Sequence, residues 1–356
     1  MNLATINKTT SVKALLIMAC LVIIMAGIKT ASNILIPFLL SLFIAIMCNP
    51  LVAKLEKYRI PKALAIILIL VVFVGIGMSL ASLIGNSLTE LNDKMPEYRE
   101  QITTKFASLI DKLADYNIHV SSEVFMTYLD PGVAMRFATD MLSGFGNIMA
   151  NTFLILLTVV FMLFESSTIP AKLHLAWDDP EMKIERIDRF LESVNRYIAI
   201  KTWVSLLTGC LVSLLLWIIG IDFFILWGVL AFLLNYIPNV GSIIAAVPAV
   251  LLAFVQFDPT IAIIVAGCYM AINTVMGNMI EPRFLGKGLG LSTLVVFLSL
   301  IFWGWLLGTV GMLLSVPLTM IIKIALETSE EGKWLSVMLG DEQQTERELA
   351  LMQQEQ

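Results

Sequence analysis

From Leu291 to Ile322 the chain runs for 32 residues without a charged side chain. A bilayer core about 30 Å thick is crossed by roughly 20 helical residues, so this run is too long for one ordinary span. It is interrupted at Trp303-Gly304-Trp305-Leu306-Leu307-Gly308. Length and interruption together predict a helical hairpin that enters the membrane, turns inside it and leaves on the side it came from. A second stretch, Phe223 to Val255, has the same character, broken at Asn235-Tyr236-Ile237-Pro238-Asn239-Val240-Gly241. Each of its arms holds about 15 residues and, at ~1.5 Å per residue, covers roughly 22 Å, which falls short of the far side.

The remaining apolar runs are continuous, without the alternation of a transmembrane strand, so an outer-membrane barrel is excluded. Composition agrees: 58% of residues are hydrophobic, 14% are charged, and the mean hydropathy is +0.87. The expected fold is an all-α polytopic membrane protein with about six full transmembrane helices, two re-entrant hairpins in the C-terminal half and an external amphipathic helical domain. The full spans are expected at Ala14–Ile28, Ala31–Cys48, Ala63–Gly85, Ile148–Phe164, Thr202–Ile219 and Pro259–Ile280. The first of these resembles a signal peptide but leads to no small-residue cleavage site, and reads as a retained helix.

Basic residues orient the chain. Lys54, Lys57, Arg59 and Lys62 follow the second span, and Lys172 to Lys201 follow the fourth, which puts both loops on the cytoplasmic side. The hairpin at 223–255 then enters from outside and that at 291–322 from the cytoplasm, with both termini cytoplasmic. Five regions result: 1–85, N-terminal transmembrane helices; 86–147, external; 148–201, fourth span and cytoplasmic amphipathic helix; 202–326, transport core; 327–356, acidic cytoplasmic tail. In the external region Leu88, Leu91, Met95, Tyr98, Ile102, Phe106, Leu109 and Leu113 recur at helical spacing, as a cover over the outer face or as plain packing on neighbours. Asp130-Pro131-Gly132 marks a turn there.

Two hairpins of opposite entry around one continuous helix are the pattern of transporters with inverted repeats, and point to a site near the midplane. Broken backbone at that depth needs protein or a watery cavity to satisfy it. The candidate substrate-binding residues are Asn235, Pro238, Asn239 and Gly241 at one tip, Gly304, Gly308 and Thr309 at the other, and Asn273, Asn278 and Glu281 on the helix between. Asparagine donates and accepts, which suits an uncharged hydroxylated ligand, and it also caps broken helices. Glu281 pairs with Arg283 or serves as a coupling carboxylate, since an acid at the bilayer centre costs about 2.5–3.5 kcal/mol. Asp222 and Asp258 fall at external turns and read as solvated.

Gly304-x-x-x-Gly308 reads as a close helix approach. The Gly286-x-Gly-x-Gly run follows no strand and is a turn, not a dinucleotide site. Cys20, Cys48, Cys210 and Cys268 lie in apolar runs, without metal or disulfide spacing. His119 and His174 are far apart, no metal or cofactor set emerges, and no nucleophile–base pair suggests an enzyme. A net charge of -5 offers no nucleic-acid surface.

Tyr236-Ile237-Pro238-Asn239-Val240-Gly241, Asn278-Met279-Ile280-Glu281-Pro282-Arg283-Phe284-Leu285-Gly286, Leu307-Gly308-Thr309-Val310-Gly311 and Ser315-Val316-Pro317-Leu318 resemble, in that order, the autoinducer-2 exporter family. The likeness covers nearly the whole chain, with Ser292-Thr293 where the family pattern often has proline. It implies a homo-oligomeric, pentameric exporter of the inner membrane whose two hairpins hold the substrate and move elevator-fashion. The implied substrate is autoinducer-2, a small polyhydroxylated quorum-sensing signal. Some family members are assigned sodium or lithium/proton antiport, and a non-transporting membrane scaffold is a third expectation.

Overall fold

The computed structural model describes residues 3–114, 151–176, 180–238, 240–285, 290–328 and 332–341. Asn239, the Asp130-Pro131-Gly132 turn, His119 and Gly286 to Gly288 lie outside them. Every regular element in the described residues is helical. Five helices, Ser32–Lys57, Lys62–Tyr98, Ile187–Ile219, Pro259–Phe284 and Thr293–Leu313, are long and apolar enough to cross a membrane. Their outward faces carry Leu68, Val71, Val72, Ile76, Trp217 and Ile263, all well exposed. Exposed apolar side chains at this density suit a lipid solvent.

α1 (Leu3–Thr30) and α2 (Ser32–Lys57) are separated only by Ala31. The i to i−4 bonds continue through it, from Ala31 N–H to Gly27 O and from Leu35 N–H to Ala31 O. The two opening segments are thus separate helices that meet at one residue, with helical hydrogen bonding carried across the junction. α3 (Lys62–Ala114) is a single helix of 53 residues that passes the expected membrane exit at Gly85 without a break. α4 (Thr152–Glu165) packs with α2 and α3 through Cys48, Val52, Ile66, Val159 and Leu163. At one end of this group Lys62 Nζ donates to Phe164 O at 3.1 Å and Ser167 Oγ at 3.0 Å, a cation on the carbonyl end of α4. The two basic loops thus sit at the same end of the group.

After α5 (Ile169–Ala176), α6 (Pro180–Ile219) runs 40 residues unbroken, joining the expected surface helix to the expected fifth span. Gly220 and Phe223, both with positive φ, reverse the chain into α7 (Phe224–Leu234). α6 and α7 pack at Gly209 and Gly228, where a Cβ on Gly209 would stand 2.7 Å from Gly228 O. Lipid offers no hydrophobic drive for helix association, so such close backbone approach does the holding. α8 (Gly241–Gln256) returns beside α7, and α9 (Pro259–Asn273) follows. A π-helical segment, Thr274–Ile280, and α10 (Glu281–Leu285) complete that rod.

α11 (Thr293–Leu313) is helical except at Gly308, where φ 65° and ψ −149° break it. The chain doubles back there. A Cβ on Gly311 would lie 2.0 Å from Trp303 O, and Trp303 Nε1 donates to Thr319 Oγ1 of α12 (Ser315–Thr328) at 3.0 Å. α13 (Lys333–Leu339) closes the base, with Ser292 N–H donating to Leu339 O at 3.1 Å. The four cysteines are free.

Candidate functional site

On α6, Tyr197, Lys201 and Ser205 follow at intervals of four and share one face, all buried. Both hairpins come to this face. From the first tip, Asn235 Nδ2 donates to Ser205 Oγ at 2.9 Å, and the Tyr236 hydroxyl donates to Thr202 Oγ1 at 2.8 Å. Thr202 in turn donates to Ile198 O. From the second, Leu306, Leu307 and Val316 share an apolar cluster with Tyr197, Ile198 and Phe43. Lys29 stands 4.2 Å over the Trp305 ring beside this tip.

The charged element of the site is Lys201 with Glu281. Lys201 Nζ lies 2.9 Å from both carboxylate oxygens, with side chains only 6% and 16% exposed. Removing either partner would leave the other buried without its counterpart, which is costly. Glu281 thus pairs across the fold with Lys201 and not with its sequence neighbour Arg283, which is exposed. Tyr197 lies within electrostatic reach of both Glu281 and Tyr236. Glu281 begins the helix directly after the π segment, and π turns recur at functional sites because they re-aim the residues that follow.

The other candidates divide. Pro238 is half-buried in the tip turn, and Gly241 closes that turn, because a Cβ there would lie 1.8 Å from Leu234 O. Asn273 is half-buried and Asn278 exposed on the same rod as Glu281. Gly304 lies against Met312 of its own hairpin and Gly308 supplies the backbone break, so the Gly-x-x-x-Gly spacing serves the fold-back and not a contact with a neighbouring helix. Thr309 is half-buried beside that break. Sequence reasoning missed Tyr197, Lys201, Thr202, Ser205 and Tyr236. The signal was the four-residue recurrence of polar groups running into an apolar span.

At the opposite end, Asp222 is not simply solvated. It accepts from Lys94 Nζ at 3.0 Å and from the Tyr98 hydroxyl at 2.8 Å, while its own N–H donates to Gln256 Oε1. Lys105 donates to Phe254 O, Val255 O and Phe257 O at the end of α8. The far half of α3 is thus pinned to the open ends of the first hairpin, with Leu91 and Tyr98 buried against it. On another face of α6, a groove of about 580 Å³ is lined by Trp203, Leu206, Leu207, Met276, Ile280 and Phe284 among others. Its lining is almost wholly apolar and offers little to hold a polar solute.

Bilayer-length apolar helices, two fold-back arm pairs and a buried ion pair on the helix against which both pack mark a multi-pass membrane transporter. Residues 18–331 match the model of the AI-2E family transporters, and the chain belongs to that family. It is 44% identical over 329 residues to the AI-2 transport protein TqsA of Escherichia coli (strain K12), covering 92% of this chain and 96% of that one. It is also 44% identical over 335 residues to a Haemophilus influenzae relative whose name assigns it to transport, with the same two coverages, 92% and 96%. A Borreliella burgdorferi relative is 30% identical over 328 residues, covering 90% of this chain and 89% of its own.

Proposed function

We propose that this transporter exports a small, uncharged, hydroxylated molecule across the bacterial inner membrane, with autoinducer-2, named in its E. coli relative, as first candidate. What supports this is one convergence. Asn235 and Glu281 reach Ser205 and Lys201, 30 and 80 residues away in sequence, and those two partners are one turn apart on α6. A hairpin tip, a π-helix end and a continuous helix thereby bring amide, hydroxyl, ammonium and carboxylate groups together inside apolar sequence. Such groups can exchange their mutual bonds for bonds to a polar guest.

In this reading the arms of α7–α8 and α11–α12 are re-entrant, entering from opposite sides. α7 has 11 residues and α8 has 16, about 17 and 24 Å of helix, both short of a 30 Å core. The long arm of α3 lies outside, the basic loops and both termini inside, and copies assemble into a homo-oligomer, as the family resemblance implies. Sodium or lithium/proton antiport fits less well. Lys201 already occupies both oxygens of Glu281, and no group of three or more metal-ligating side chains gathers among the described residues. A scaffold would leave the broken hairpin tips without a role.

The test is transport by purified full-length protein in liposomes, with labelled autoinducer-2 as the probe. Saturable movement that is lost in Asn235→Leu supports the proposal. No movement, together with an unchanged internal-to-external signal ratio in a deletion strain, overturns it.

A further inference from the structure

Among the described residues, one buried side-chain polar atom has no hydrogen-bond partner: the hydroxyl of Tyr269, on a side chain 5% exposed. A buried hydroxyl without a partner is costly in any protein, and more so at membrane depth, where bulk water is out of reach. Phenylalanine would fill the same space without that cost, so the oxygen calls for a use. Its position suggests one. Tyr269 lies on the buried face of α9 with Ala262 and Val265, and Asn273 follows one turn later, half-buried. The apolar cluster around Tyr269 is also where the first hairpin, through Leu234 and Ala249, meets Leu300, Met312 and Leu313 of the second.

We infer that Tyr269, with the Asn273 amide one turn along, is a substrate-contacting pair that binds the oxygens of a small hydroxylated molecule between the two hairpins. This rests on the export function proposed above. A phenol both donates and accepts, as does a carboxamide, so the pair matches alcohol and carbonyl oxygens and offers nothing to an inorganic cation that a neutral sugar-like solute would not use better. The surrounding side chains are apolar, which excludes water around the ligand and strengthens each bond made to it.

The experiment compares wild type, Tyr269→Phe and Asn273→Ala, each full-length in liposomes, by thermal midpoint and by autoinducer-2 concentration at half-maximal transport. Tyr269→Phe is expected to melt at or above the wild-type temperature, because an unpartnered hydroxyl is gone. Its half-saturating concentration should rise about three- to tenfold, the worth of one neutral hydrogen bond. Asn273→Ala should move it in the same direction. A lowered midpoint with unchanged half-saturation would make the hydroxyl structural and overturn the inference, as would no change in either. Should wild type move no autoinducer-2, the export function falls first and this pair with it, and the wild-type arm distinguishes that result.

Discussion

Lys201 meets Glu281 head-on, its ammonium 2.9 Å from each carboxylate oxygen, and through this pair the π-helix end is tied to the middle of α6. Removing one partner strands the other charge away from water. Lys201→Met or Glu281→Leu alone should therefore lower stability by about 3–5 kcal/mol, whereas the double variant should recover most of it. Thermal melting in detergent measures both. The double variant should fold yet fail to export, because it keeps the packing and loses the groups that rearrange. A double variant that transports like wild type would reduce the pair to a structural tie.

Asn235 and Ser205 form a buried neutral bond at 2.9 Å. Ser205→Ala leaves the Asn235 amide without its acceptor, a cost of about 1–3 kcal/mol, while Asn235→Leu with Ser205→Ala removes both polar ends and should be less harmful to stability than the sum of the singles. Transport should respond otherwise: both variants lacking Asn235 lose it. Melting curves and liposome flux on the same preparations separate the two effects.

Much of this arrangement is legible in the sequence. The interrupted runs located both reversals, because Pro238, Gly241 and Gly308 disrupt helices for local reasons that do not depend on neighbours. Helix ends were less legible. Hydropathy sets membrane limits at Gly85 and Lys201, yet α3 and α6 continue through both, since a helix needs no change of backbone where its surroundings change from lipid to water. The partners of Asn235 and Glu281 were beyond reach, because a contact 30 or 80 residues away leaves no trace in local spacing. Asp222 illustrates the same limit, with Lys94 supplied from 128 residues away.

The brace at that end predicts a modest energetic effect and a local change in dynamics. Lys94 and Asp222 are 37% and 38% exposed, so solvent screens their attraction and the ion pair is worth about 0.2–1 kcal/mol. Asp222→Asn should barely change the melting temperature. It should loosen the far half of α3 from the first hairpin, seen as faster amide hydrogen exchange in residues 91–105 and 254–257, with the rest of the chain unchanged.

Gly308 and Gly311 lie three residues apart in one turn and should fail differently. Nothing lies within 4 Å of a Cβ placed on Gly308, so the cost of Gly308→Ala is conformational, about 1–3 kcal/mol for holding φ 65° and ψ −149° with a side chain. On Gly311 the backbone is ordinary, but the new carbon would sit 2.0 Å from the Trp303 carbonyl oxygen, and a main-chain atom cannot rotate aside. The two arms must then separate, and the Trp303–Thr319 bond goes with them. Gly308→Ala should therefore yield a folded, less stable protein, recognisable by a lowered midpoint with intact tryptophan fluorescence. Gly311→Ala should shift that fluorescence and abolish transport even under conditions where the protein stays folded. Equal behaviour of the two variants would mean that the arms do not fold back as closely as this geometry requires.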